Sequence, residues 1–371
     1  QLADLRKKQG ITTKVFRLDE MGVTSTTELK AWFHDAYNNW TIKPVAVCLL
    51  ADHNNDMTMG IPAEVIPHSY SGSCITDNQY ADPDGNLLPD MTFSRLIAQN
   101  ETELPIFVGK QIEYEVENPN MDADSYKYPV TALGWQTERW FQLCSEVAGG
   151  YFRSIGKEPV RINQIYDGNP DAENIWSSAD NTSLVVDYFG PNGLGYITAT
   201  PGEMGDWNNG SPQQIVDAIN NGTFLVQHRD HGLETGWGEP AFRNNHVDQL
   251  TNTGKLAFIM SINCLTGKYN LGSDCFAERF MRHTYNGQNA GAVAMLCPTE
   301  VSFSFVNDAY VWGVYDQFDP DFMPDYGPYA DYEGNWFPAF GNVAGKYFLY
   351  QCSWPYNYYD KDITYQMFTA H

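Results

Sequence analysis

The chain is short of three things. Its seven cysteines, at positions 48, 74, 144, 264, 275, 297 and 352, include no CxxC pair. That pattern indicates neither a zinc ribbon nor a disulfide framework, and an odd count leaves at least one thiol unpaired. No apolar run approaches the roughly 20 residues that span a bilayer, so membrane insertion is not expected. Basic residues are few, with 22 Lys and Arg against 46 Asp and Glu for a formal charge of −24. Such a balance repels phosphate backbones and argues against nucleic acid, while it favours solubility and cationic partners.

What is present reads as α/β. Length alone, 371 residues, suggests two domains or one large α/β unit. The first third alternates a helix-period segment (24–37), a short apolar run (45–52), a turn-rich stretch (68–89) and an amphipathic run (103–115). Residues 116–129, rich in Pro, Asn and Asp, suggest a boundary. Beyond it strands at 130–134, 161–166, 223–228, 256–263 and 291–297 alternate with helices at 137–152, 211–222 and 274–285. Two tandem α/β subdomains with mainly parallel sheets flanked by helices are expected, over 1–120 and 121–371. From Glu300 onward aromatics are dense and carboxylates greatly outnumber cations. Such a face could bind sugar or peptide, but aromatics this dense also fill cores.

Reactive groups in an open α/β sheet gather where strands end. The run 223–228 leads into Arg229-Asp230-His231-Gly232, and the run 256–263 leads into Cys264. On neighbouring parallel strands, His231 and Cys264 would share one edge. A thiol is mostly protonated at neutral pH, and an adjacent imidazole can take its proton. The N–H groups of Gly232 and Cys264 could then form an oxyanion hole. The alternative is a core cysteine and a surface histidine. Cys48 and Cys144, in apolar surroundings, read as buried thiols, and His228 as a strand-end histidine.

The blocks His231-Gly232-Leu233-Glu234-Thr235-Gly236-Trp237, Cys264, and Asp274-Cys275-Phe276-Ala277-Glu278 resemble the catalytic core of the gingipain-type cysteine peptidases, relatives of caspases and legumains. Tyr70, Asp77-Asn78-Gln79-Tyr80 and Thr92-Phe93-Ser94-Arg95 extend the likeness more weakly to the first third. The resemblance implies a caspase-like fold in two parts and a Cys264–His231 dyad. It further implies a thioester acyl-enzyme, cleavage after Lys or Arg, and no cofactor required for catalysis. Glu234 and Trp237 would brace the histidine loop, and Cys275 would start a helix.

One departure stands out. The family places an acid behind its histidine where this chain reads Thr131-Ala132-Leu133-Gly134-Trp135. Either a backbone carbonyl orients His231, or an acid such as Glu138 or Asp230 does. For the substrate's basic side chain the resemblance suggests Asp308, which could equally cap the helix that follows it; Glu300 and Glu138 are in reserve. It also implies a structural calcium ion near Asp52, Asp77 and Asp90, while Asp82-Pro83-Asp84-Gly85-Asn86 reads as a turn. A secreted or surface location is expected, as are protein or peptide substrates. The ends of the chain look trimmed, so a propeptide and C-terminal accessory domains are expected. The same acyl-enzyme would also serve a transpeptidase, and a non-catalytic binding module is the remaining alternative.

Overall fold

The computed structural model describes residues 1–117, 121–324, 334–355 and 358–371. In the first third, helix α1 (Thr26–Asn39) starts where the Ser25 side chain accepts a hydrogen bond from the Glu28 N–H. It buries Leu29, Phe33 and Ala36, spaced for one helical face. Strands β1 (Ala46–Leu49) and β4 (Thr92–Arg95) form a two-stranded parallel pair, while β2 (Glu64–His68) and β3 (Gly72–Thr76) form an antiparallel hairpin. That hairpin begins before the stretch expected to be turns. Cys48 is exposed rather than buried, in an edge strand whose Leu49, with Val47 against it, is what reaches the core of the first third. The amphipathic run is helix α2 (Leu104–Ile112), followed by a π-helical turn. The expected boundary at residue 120 lies outside the described residues.

The rest of the chain builds a six-stranded sheet. Its strands are β5 (Val130–Trp135), β6 (Val160–Ile165), β7 (Leu225–Arg229), β8 (Ala257–Ile262), β9 (Ala292–Pro298) and β10 (Phe368–Ala370), in spatial order β10-β9-β8-β7-β5-β6. All neighbours are parallel except β9 and β10. Every residue of β5, β7, β8 and β9 is buried. Burial on both faces is why these strands read as near-continuous apolar runs in sequence.

Alternation along the strands feeds two cores. Phe258, Met260 and Ile262 pack with helices α3 (Phe141–Ser154) and α6 (Val306–Phe318), whereas Ala257 and Ile259 pack with α4 (Pro212–Asn221) and α5 (Phe276–Arg282). Tyr310, Trp312, Tyr315, Phe318, Phe348 and Phe368 all belong to the first core. These aromatics fill the interior beside α7 (Pro338–Gln351), whereas Trp336, Phe337, Tyr350 and Tyr359 are exposed.

Candidate functional site

Register decides which side chains meet. β7 and β8 pair in parallel with Ile262 opposite Arg229, and β5 lies on the other side of β7 with Leu133 opposite Arg229. Parallel strands end at one edge, so the segments that follow emerge together: Gln136 after β5, His231 after β7 and Cys264 after β8. His231 and Cys264 each lie two residues past the Arg229–Ile262 pair. Gly232 rests directly on the cysteine's backbone, since a Cβ there would lie 2.5 Å from the Cys264 carbonyl oxygen and 2.6 Å from Asn263 Oδ1. No residue but glycine fits that approach.

The imidazole is held on three sides. His231 Nε2 is 2.9 Å from Gln136 Oε1, Phe141 meets the ring edge-on at 5.3 Å, and Tyr166 lies at 5.2 Å. Gln136 is buried, and its Nε2 donates to Glu138 Oε1 at 2.6 Å. Desolvation, followed by the Arg229 and Arg139 charges, lowers the His231 pKa against a weaker pull from Glu138. The ring is therefore a neutral base at neutral pH.

Cys264 is half-buried, and the Ser302 N–H donates to its Sγ at 3.4 Å. Burial pushes the thiol's pKa up, while Ser302 and Arg229 pull it down. The Ser302 hydroxyl donates to the Asn263 carbonyl and accepts from Asn307 Nδ2 at 2.6 Å, which anchors the loop over the sulfur. Leu265 turns sharply at φ 64° with its N–H on the Glu300 carbonyl, so Cys264 stands at a tight strand-end bend. Behind it, His228 is stacked on Trp237 at 4.3 Å and bonded to Asn263. Burial pushes the His228 pKa down to about 3, so this ring is a neutral support and no second base.

The acids divide sharply. Asp308 is fully buried, paired with Arg229 at 2.5 Å and 3.2 Å, and accepts from the Phe305 N–H at the start of α6. A carboxylate so engaged has nothing left for a substrate cation, and the helix-cap reading describes its place. Glu300 is buried as well and pairs with Lys268 at 2.8 Å. Among the described residues Glu138 forms no ion pair and is exposed. Asp230 packs under Gly134 and Gly238 with Oδ2 on the Glu239 N–H, so it does not face the imidazole. The group that does is Gln136, which composition gave no reason to notice; its position just past a buried strand was the available signal.

The carboxylates expected around calcium do not converge. Asp77 is locked to Arg95 at 2.6 Å and the Asp52 carboxyl lies beside Glu278. Only Asp90 joins a group able to hold a cation, with Asp82 and Asp84, all ligand atoms within 4.8 Å. The turn predicted at 82–86 is present, with Asp82 accepting from the Gly85, Asn86 and Leu87 N–H groups.

Comparison with known proteins bears on the family and the fold. The model of peptidase family C25 matches residues 1–333. Gingipain R2 of Porphyromonas gingivalis is 34% identical over 156 residues, 40% of this chain and 20% of that protein. Lys-gingipain W83 of the same organism is 22% identical over 289 residues, 77% of this chain and 14% of that protein. The chain thus covers a fifth or less of these relatives' length. The crystal structure of the Arg-specific cysteine proteinase gingipain R superposes with a TM-score of 0.74 at 18% identity, covering 100% of this chain and 72% of that one. A complex of RgpB pro- and mature domains from Porphyromonas gingivalis gives 0.73 at 18%, again over 100% of this chain and covering 74% of that one. At such identity the likeness is one of fold: a caspase-like α/β architecture around a mostly parallel sheet.

Proposed function

The chain belongs to peptidase family C25, and from that premise we propose that it is a cysteine endopeptidase whose reacting pair is Cys264 and His231. His231 takes the thiol proton as Sγ attacks the substrate's carbonyl carbon. The Gly232 and Cys264 N–H groups hold the resulting oxyanion, and the imidazolium returns its proton to the leaving amine. Water then hydrolyses the thioester with His231 again as base. The observation that carries this reading is the register of β7 and β8, which brings His231-Gly232 onto the backbone of Cys264.

Substrates are proposed to carry Lys or Arg before the scissile bond. With Asp308 and Glu300 committed to Arg229 and Lys268, Glu138 is the remaining candidate acid for that side chain. The −24 charge would concentrate cationic peptides near it. Division into units at residue 120, an extracellular or surface location, a propeptide and C-terminal accessory domains are proposed with it.

Catalysis needs no ion, but a structural calcium fits Asp82, Asp84 and Asp90. Asp90 Oδ2 is buried with no partner, and burial with the neighbouring Asp84 charge raises the Asp90 pKa. Those are the conditions a hard cation with oxygen ligands relieves.

The reading is tested by hydrolysis of Lys, Arg and neutral reporter peptides by wild type and Cys264→Ala. Wild type is expected to cleave the basic reporters and the variant to lose at least 1000-fold, as removal of a covalent nucleophile does. Equal turnover by the two would overturn it.

A further inference from the structure

The departure from the family's acid has a structural answer. Glu138, ionised at neutral pH, accepts hydrogen bonds and donates none. Its own backbone N–H and the Gln136 amide hold its carboxyl below the usual range. Gln136 must therefore turn its NH2 end toward Glu138, as the 2.6 Å contact shows, and its carbonyl end toward His231, as the 2.9 Å contact shows. An amide oxygen only accepts, so the imidazole must donate from Nε2. A neutral imidazole carries one proton, which leaves Nδ1 as its sole acceptor.

We propose that Gln136, oriented by Glu138, is the positioning residue that fixes His231 in its Nε2–H tautomer and makes Nδ1 the atom that receives the Cys264 proton. This rests on the reading of Cys264 and His231 as the reacting pair. In the step itself the S–H bond breaks, the proton passes to Nδ1, and the electron pair stays on sulfur as the nucleophile. The imidazolium so formed keeps its Nε2–H on Gln136.

A neutral amide orients the ring without the full attraction a carboxylate would exert on the imidazolium. The charged groups acting on the ring are Arg229, the last residue of β7, and Arg139 and Glu138 from the loop after β5, with Tyr166 after β6 beside it; its chain neighbour Asp230 is turned toward the Glu239 N–H, and Cys264 follows β8. Desolvation, with two arginines against one exposed glutamate, keeps the ring neutral, so the resting pair is thiol and imidazole rather than thiolate and imidazolium. Gln136→Glu would move a full charge onto Nε2–H and raise the His231 pKa by about one unit or more. A unit's rise makes the thiolate–imidazolium form about tenfold more populated.

The experiment reads the pair without any peptide. Nitrogen-15 spectra of histidine-labelled protein, with the His231 signal assigned through His231→Gln, report which ring nitrogen carries the proton. Mass spectrometry reports the rate at which iodoacetamide, an uncharged reagent, alkylates Cys264 at pH 6 to 7. Wild type is expected to show Nε2 protonated and Nδ1 bare. Gln136→Glu should alkylate about tenfold faster, while Gln136→Ala should mix the tautomers and lower kcat by roughly 10–100-fold with KM little changed. Glu138→Gln, which frees the amide to turn over, should mix the tautomers too. A wild-type ring protonated on Nδ1 would overturn the proposal, as would tautomer and alkylation rate unmoved by Gln136→Glu. If the spectra and rates come out as expected while no reporter peptide is cleaved, the peptidase reading fails and this one stands.

Discussion

Two buried arginine–aspartate pairs, one in each part of the molecule, are built alike and do different work. Arg95 is the last residue of β4, and Arg229 is the last residue of β7. Each grips its aspartate through two nitrogens, Asp77 at 2.6 Å and 2.8 Å and Asp308 at 2.5 Å and 3.2 Å. Arg95 spends its remaining donors on the carbonyls of Ala51, Ile61 and Pro62 and lies over the Tyr269 ring, whose hydroxyl reaches Asp77. Since Tyr269 follows strand β8 in the chain, this pair clamps the first third to the part that carries the six-stranded sheet. Arg229 instead bonds the Asp230 and Ile262 carbonyls and stacks on Phe141, the ring that also touches His231. Its charge lowers the pKa of both His231 and Cys264. A strand-end arginine buried with its counter-ion is thus a fastening in one place and a source of field in the other.

Breaking the pairs should give the largest effects and, at first, equal ones. Asp77→Ala and Asp308→Ala each strand a buried guanidinium, which costs about 3–5 kcal/mol. Urea unfolding is expected to show both losses, with Asp308→Ala also losing its cap on the Phe305 N–H. A loss under 1 kcal/mol at either position would mean that water or a neighbouring carbonyl can take the aspartate's place.

The two arginines should differ most in what they do to the Cys264 thiol. Arg229→Met removes the cation near Cys264, so the thiol's pKa should rise and the His231 pKa should rise with it. Alkylation of Cys264, followed as a function of pH, should shift upward by a fraction of a unit to one unit. Arg95→Met, equally destabilising, should leave that profile where it is. Equal shifts would show that the two pairs differ in place and not in function.

How far the sequence reveals this can be judged residue by residue. The parallel strands were legible because burial on both faces demands unbroken apolar runs, and the placement of His231 and Cys264 at one sheet edge because residues just past such runs emerge together. Asp308 was left between a substrate role and a helix cap for a physical reason: Arg229 ends an apolar strand, and a buried guanidinium requires a counter-ion, but only the fold shows which carboxylate, 79 residues away, supplies it. Gln136 was invisible because an amide carries no charge and its partner lies 95 residues on. The β2–β3 hairpin was obscured by Pro67 and by a burial pattern in which polar His68 and Thr76 are buried while Val65 is exposed.

The smallest expected effect concerns a third buried aspartate that has no such clamp. Asp230 is 1% exposed, Oδ1 has no partner among the described residues, and burial pushes its pKa up to about 7. In the unfolded chain the same carboxyl titrates near 3.9. Between those values the folded protein holds a proton that the unfolded chain has released, so stability falls as pH rises from about 4 to 7 and is level above that. Asp230→Asn keeps an oxygen for the Glu239 N–H and carries no charge at any pH. At pH 4 the variant should therefore match wild type, whereas at pH 8 it should melt ~2–4 °C higher. Asp52 and Asp316 are also pushed to about 7 by burial, so wild type and variant will both slope; the difference between the two curves isolates Asp230. Parallel curves would mean that this carboxyl is ionised throughout, and that the Arg229 field reaches it as effectively as it reaches Asp308.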